Sequence, residues 1–286
     1  MKEEKGKIKF EGEYLNYKKW NGKGYDYNGN CVNEIKEGKG YVKEYDRKGN
    51  LLFEGIYSKD KRNGKGIEYY NNEIIFQGEY LNNKRWKGKG KEYDNNDILI
   101  YEGEYINGKR NGKGKDYDYV GNVIFEGKYL NGKRNGKGKE YNFDGKLIFN
   151  GEYLNGIKWN GKGKEYNYDD KLIFDGEYLN GIKWNGKEYD YNGKLIFEGE
   201  YSNGIIWNGK GKEYDYKGRL IFEGEYLNGE RNGKGKEYDY KGRLLFEGEY
   251  SNGFKLNGKS KEYDYDDRLI FEGEYLNGKR NENLIE

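Results

Sequence analysis

The sequence predicts an all-β protein, an elongated single-layer solenoid of stacked antiparallel β-hairpins with a repeat of about 24 residues. Three observations predict it. The triplet Gly-x-Tyr recurs at almost constant intervals, the residues around it alternate apolar and polar, and from Gly103 onward an Asn-Gly follows each triplet where a hairpin must turn.

The triplets begin at Gly12, Gly55, Gly78, Gly103, Gly127, Gly151, Gly176, Gly199, Gly224, Gly248 and Gly273. From Gly55 onward the steps are 23, 25, 24, 24, 25, 23, 25, 24 and 25 residues. The first interval, 43 residues, holds one full repeat and one shortened unit near 28–50. One continuous array over 1–286 is therefore expected, ending in an incomplete hairpin at 273–286, where "NGKRNENLIE" lacks the usual Gly-Lys-Gly. Such an end either caps the array or leaves an edge open to self-association.

Within the unit that starts at Lys194, "LIFEGEY" places Leu195, Phe197, Gly199 and Tyr201 on one face and Ile196, Glu198 and Glu200 on the other. Asn203-Gly204 supplies the turn, "GKGKEYDY" returns as the second strand, and "YNGK" or "YKGR" leads into the next unit. No stretch has sustained helical periodicity. Gly199, between two rings on one face, leaves room for a neighbouring aromatic to lie across the backbone. On the opposite face, Glu200-type and Lys210-type residues are expected to form a charge ladder across strands. With two strands per unit at about 4.8 Å each, some eleven units would extend roughly 100 Å.

These residues resemble the MORN repeat: an aromatic, x, Gly, x, aromatic, then a turn Gly and Gly-x-Gly. Phe125, Gly127, Tyr129, Gly132, Gly136 and Gly138 fit that pattern, as do Phe222, Gly224, Tyr226, Gly229, Gly233 and Gly235. The tyrosine of "GKGKEY" departs from it. Tyr214 follows Gly209 by five residues, so either a β-bulge restores its face or it points to the opposite side. This spacing is also similar to the variant MORN repeat. The resemblance implies a sheet of hairpins; it does not fix a function, because MORN repeats occur in scaffolds, in membrane-apposed proteins and beside enzyme domains.

Composition bounds the function. Charged residues (36%) outnumber hydrophobic ones (33%), which by itself leans towards disorder, but 33 tyrosines supply rings enough for a thin packed structure. The 53 Lys and Arg nearly balance the 51 Asp and Glu, so there is no basic field for nucleic acid. Cys31 is the single cysteine, so no intrachain disulfide or thiolate cluster can form. The N-terminus has no apolar leader segment and no stretch is long enough for a membrane helix, which leads to the expectation of a soluble, intracellular, cytoplasmic protein, with membrane or cytoskeletal association left open.

Nothing points to catalysis or a cofactor. There is no histidine, and Ser58, Ser202, Ser251 and Ser260 have no recognisable base beside them. "GFKLNGKS" (253–260) fits the phosphate-loop pattern, but the equivalent slot of the preceding inserted unit reads "GIIWNGKG", and no helix is expected to follow.

The specific signal is a variation at the turn. "NGKRNG" is replaced in some units by "NGIKWNG", one residue longer, and all five tryptophans occupy that insertion: Trp20, Trp86, Trp159, Trp184 and Trp207. Leu256 is the sixth case. Ile157, Ile182 and Ile205 stand two residues before three consecutive Trp. Either each Trp folds back to cap the aromatic ladder, or the tips form an exposed apolar stripe. These eight residues are the candidate interaction tips. The expected function is a non-catalytic scaffold for protein–protein interaction with an unidentified partner. A peripheral phospholipid-associated module and an antitoxin-like or immunity protein are the alternatives.

Overall fold

The computed structural model describes residues 9–26 and 28–281. Twenty-four strands, from β1 (Phe10–Leu15) to β24 (Lys279–Asn281), belong to one open antiparallel sheet, and no helix occurs among the described residues. Two compact units divide the chain: residues 1–147 with 153–157, and residues 148–152 with 158–286. In each unit, strands pair with their neighbours in sequence. In the second, β17 (Leu195–Ser202) pairs with β18 (Ile205–Tyr214), β18 with β19 (Leu220–Leu227), and β19 with β20 (Glu230–Tyr238). The shortened unit of the first is a complete small hairpin, β3 (Cys31–Lys36) and β4 (Lys39–Tyr45), joined through Glu37 and Gly38. The final hairpin ends in β24, three residues paired to β23 (Leu269–Leu276); the incomplete end expected at 282–286 lies outside the described residues.

Two kinds of turn alternate. At Asn203-Gly204 both residues have positive φ (51° and 78°), the twist a two-residue hairpin needs, which is why Asn-Gly recurs there. The links between repeats are built on Asp or Asn. Asp215 Oδ1 accepts the N–H groups of Lys217 and Arg219, both at 2.9 Å, while the Asp215 backbone bonds Gly218 and Arg219. One link differs: Tyr70 pairs directly with Glu73 around Asn71 and Asn72, which makes that repeat one residue shorter.

The core is a file of single rings. Phe53, Phe76, Phe125, Phe149, Phe174, Phe197, Phe222 and Phe246, with Tyr101 in the same slot of its repeat, are essentially without solvent contact. Each ring lies over a pair of glycines facing each other across two strands. A Cβ added to Gly235 would come within 2.8 Å of the Phe222 ring, and one on Gly224 within 2.6 Å. The tyrosines of Gly-x-Tyr interleave edge-on. Phe222 meets Tyr226 at 5.9 Å and Tyr250 of the next repeat at 5.3 Å, with planes near perpendicular; Phe246 meets Tyr250 at 5.1 Å. The rings thereby run from repeat to repeat without a thick interior.

Gly199→Ala is expected to cost at least about 2 kcal/mol, because its Cβ would sit 2.2 Å from the Asn208 carbonyl oxygen and 2.6 Å from the Gly209 Cα, backbone that cannot step aside. Asn192→Ala, in an exposed link, should change stability by no more than about 0.5 kcal/mol. Urea unfolding of the two variants checks the pair.

Candidate functional site

The strand alternation gives the two faces of the sheet different chemistry. On the ring face, every second strand adds a carboxylate. Glu213 accepts the Tyr226 hydroxyl at 2.6 Å and the Arg231 Nε and Nη2 at 2.9 and 2.6 Å, while the Arg231 guanidinium lies 4.1 Å above the Phe222 ring. The same group forms with Glu92, Tyr105 and Arg110, Tyr101 standing in the place of the Phe. The Arg-bonded Glu213 carboxyl is held below its usual range, and burial, followed by the Glu213 bond, raises the Tyr226 phenol.

This explains half of the "KR" for "IKW" exchange. The Lys of "IKW" takes the Arg position: Lys183 lies 4.3 Å over Phe174 and pairs with Glu165 at 2.9 Å. In "IIW", Ile206 fills that place and packs on Phe174, Phe197 and Tyr201.

The other half is the inserted residue. Between β17 and β18, Glu200 faces Asn208 and Tyr201 faces Ile206, so Trp207 is the extra residue of a β-bulge. Trp20, Trp86, Trp184 and Leu256 occupy the same bulge in their hairpins. The Arg hairpins make a wider bulge: Gly224 faces Gly235 and Tyr226 faces Arg231, leaving three residues opposite Glu225, with Gly233 at φ 80° among them. As a result Gly199 faces the first glycine of its Gly-x-Gly, Gly209, whereas Gly224 faces the second. The slip is two residues, so each side chain keeps its face. The short hairpin with "WNGKEY" works for the same reason, its lone Gly186 facing both Gly176 and Gly199.

The bulge also ties neighbouring tips. The Trp207 carbonyl accepts the N–H of Gly229 at 2.9 Å, and Trp159 accepts Gly181 at 2.9 Å. The Trp20 and Trp159 rings lie against the turn glycines of the following hairpins, Gly38 and Gly181, and are half-buried. Trp86, Trp184 and Trp207 are more than a third exposed, and Ile157, Ile182 and Ile205 are exposed. Phe254, at the isoleucine position of the Leu256 hairpin, is more open still.

The opposite face carries the charge ladder, with different partners from those expected. The rungs run from the Glu after each Phe to the second Lys of "GKGK": Lys187–Glu198 at 3.3 Å, Lys212–Glu223 at 3.2 Å and Lys236–Glu247 at 3.0 Å. Glu200 instead accepts the Asn208 amide at 3.1 Å. The out-of-phase tyrosines belong to this ladder face, which decides between the two possibilities left by their spacing. Tyr238 donates to Glu223 at 2.8 Å and Tyr141 to Glu126 at 2.8 Å. Burial, with the Glu223 bond, pushes the Tyr238 phenol up to about 12. Glu198, Lys212, Glu223, Lys236 and Glu247 line a trough of about 720 Å³ on this face.

Ser260, the last residue of the phosphate-loop look-alike, is buried in strand β22 (Phe254–Tyr263) and donates to the Leu245 carbonyl at 3.1 Å. No helix N-terminus is there to hold a phosphate. Among the described residues, no group of three or more His, Cys, Asp or Glu is placed to hold a metal ion, and no helix is long and apolar enough to cross a membrane. Cys31 is exposed, in the shortened hairpin.

One feature went unread in the sequence. In each link the residue after the capping Asp or Asn is aromatic in seven consecutive repeats: Tyr119, Phe143, Tyr168, Tyr191, Tyr216, Tyr240 and Tyr265. All are exposed. The signal was available, since these aromatics fall in the turn, where strand alternation gives them no buried face.

Paired glycines, a ring across them and a hairpin per repeat define a β-hairpin repeat protein. The chain is a MORN-repeat protein: the MORN repeat matches residues 53–73, 101–115, 125–146, 222–242 and 271–282. MORN repeats are generally associated with scaffolds for protein or membrane interaction. No curated protein matches the sequence. Among solved structures, the chain is similar to the crystal structure of TcdB2-TccC3-Cdc42 (13% identity, 87% of this chain and 15% of that chain, TM-score 0.23). It is also similar to the Photorhabdus luminescens Tc holotoxin pore with the mutation TccC3-D651A (12% identity, 89% and 16%, TM-score 0.23). A third is a porin-like protein from Bacteroides uniformis (10% identity, 83% and 87%, TM-score 0.16). The chain thus spans about 15% of the length of the first of these. At these TM-scores the likenesses assign no function.

Hydrogen-bonded phenols on both faces, Tyr226 among the rings and Tyr238 on the ladder, set an alkaline limit on the fold. The structure favours their neutral form, raising Tyr238 to about 12 and Tyr226 further, whereas an unfolded phenol titrates near 10. This contribution is complete below about pH 10 and is lost as pH rises through the folded values. On an alkaline titration, phenolate absorbance from these residues should appear together with loss of the β-sheet circular dichroism. Full ionisation of all tyrosines near pH 10 with the sheet signal intact would contradict it.

Proposed function

We propose that the chain is a non-catalytic repeat scaffold that captures a protein partner along the edge formed by its Asn-Gly tips. One observation carries this reading: Ile182, Trp184, Ile205 and Trp207 remain exposed at two successive tips of the second unit, and Phe254 at another two hairpins further on, beside bulges of one kind. Aromatic and aliphatic side chains on a fixed backbone are what interface hot spots require, and repetition adds avidity to weak single contacts. Acids and phenols on both faces are committed to each other. Glu213, Tyr226 and Arg231 form one closed group, and Glu223, Tyr238 and Lys212 another. Near-equal numbers of acidic and basic residues favour a protein partner over an anionic lipid surface.

Replacing Trp159, Trp184 and Trp207 together with Ser should abolish capture of the partner from an extract of the source cells while leaving the β-sheet circular dichroism unchanged. Undiminished capture would contradict the proposal, and loss of the sheet signal would assign the tryptophans to packing. Salt-insensitive binding to phospholipid vesicles, lost in the same variant, would favour a membrane-associated module instead.

A further inference from the structure

We propose that the turn tyrosines of the second unit, Tyr168, Tyr191, Tyr216, Tyr240 and Tyr265, form a binding surface for a neutral, extended β-1,4-linked glycan. This goes beyond the protein-scaffold reading, because these residues stand at the inter-repeat links, at the opposite ends of the strands from the Trp tips.

The links close without these rings, which meet only surface cations at Tyr216 (Lys217, 5.4 Å) and Tyr240 (Lys241, 5.5 Å; Arg219, 5.8 Å). Each link is closed by its Asp or Asn and by backbone bonds: Asp190 Oδ1 accepts Asn192 and Lys194, Asp239 Oδ1 accepts Lys241 and Arg243, and Asp264 Oδ1 accepts Asp266 and Arg268. The residue after the Asp contributes nothing to that closure, yet it is a tyrosine each time. Tyr168 and Tyr265 are fully exposed, Tyr216 is 89% and Tyr191 80% exposed; Tyr240, at 53%, is steadied by its hydroxyl bond to Asp267. Large rings left in water by a rigid backbone are platforms with little conformational entropy to lose on binding.

Three properties select the ligand. The rings stand singly, not in a desolvated cluster of the kind protein hot spots form, so the ligand must bring a flat apolar face to each one. Successive links are two strands apart, roughly 10 Å, which matches the disaccharide repeat of a β-1,4-linked chain, along which every second sugar presents the same face. The links carry eight acidic and seven basic residues, leaving no net field to attract a polyanion such as single-stranded RNA. The polar groups suit hydroxyls. Arg219, Tyr238, Tyr240 and Lys241 line a cleft of about 360 Å³, and Arg219 Nη1 donates to the Tyr240 carbonyl at 2.9 Å, holding two links in register. Such a ligand would place this surface outside the cytoplasm, contrary to the intracellular expectation from the sequence.

The test is electrophoresis of the full chain through gels containing hydroxyethyl cellulose, with cellohexaose titration by calorimetry. The chain should be retarded and should bind cellohexaose. Replacing the five tyrosines with Ala should weaken binding by at least about tenfold, since the contacts are multivalent, while the triple Trp→Ser variant should bind as before. A second variant with the five tyrosines replaced by Phe keeps the rings and should retain binding, even where the Ala variant proves unstable. Lack of retardation of the unmodified chain, retention that survives loss of the five rings, loss of binding in the Phe variant, or binding to poly(U) in place of the glycan would each overturn the proposal.

Discussion

The fold depends on one close approach: a ring laid across two glycines that face each other on adjacent strands. Phe222 over Gly224 and Gly235 is the clearest case. A chain this poor in aliphatic residues cannot build a two-layer interior, so it must bury rings within the thickness of a single sheet. Removing two side chains from the sheet surface creates the only slot deep enough. Everything else on that face follows from the ring's position. The tyrosine four residues on meets its edge, the cation beyond the turn lies over it, and a glutamate from the preceding repeat binds both. Each ring also touches the tyrosine of the next repeat, which passes order along the array by nearest-neighbour contacts.

The turn variation shows how tightly this arrangement is held. "KR" and "IKW" differ in length and composition, yet both deliver a cation to the Phe, through Arg231 or through Lys183. The length difference is absorbed in bulges of unequal size. Because the resulting slip is an even number of residues, the glycines stay beneath the ring and the lysines stay on the ladder face. The tryptophan is thus the residue a narrower bulge displaces, placed where its carbonyl receives the next turn's N–H. Packing accounts for its backbone; the exposed part of its ring at Trp184 and Trp207 is what remains for recognition.

The hairpins, their turns and the ring-bearing face were legible in the sequence because they rest on local rules: period two, Asn-Gly turns and glycine between rings. The shortened unit and the loss of two residues in "WNGKEY" were legible for the same reason, since parity decides whether a strand can pair. The ring-face role of Glu213 was not, because a glutamate between Lys and Tyr looks like one more surface charge until the phase of the second strand is known. That phase could not be read, as Tyr214 was compatible with either face. Tyr191 and its equivalents were missed because they lie in the turns, outside the strand alternation that periodicity reads.

The most direct measurement of the central claim is a double-mutant cycle between Phe222→Ala and Gly235→Ala, with stabilities from urea unfolding. A Cβ at Gly235 would meet the Phe222 ring at 2.8 Å and the Tyr250 ring at 3.1 Å, so the ring itself is what forbids the side chain. If the glycine exists to seat the ring, each single change is strongly destabilising and the pair is coupled, the double variant being less destabilised than the sum by about 1–3 kcal/mol. Strict additivity would contradict the account and assign the glycine to the backbone alone.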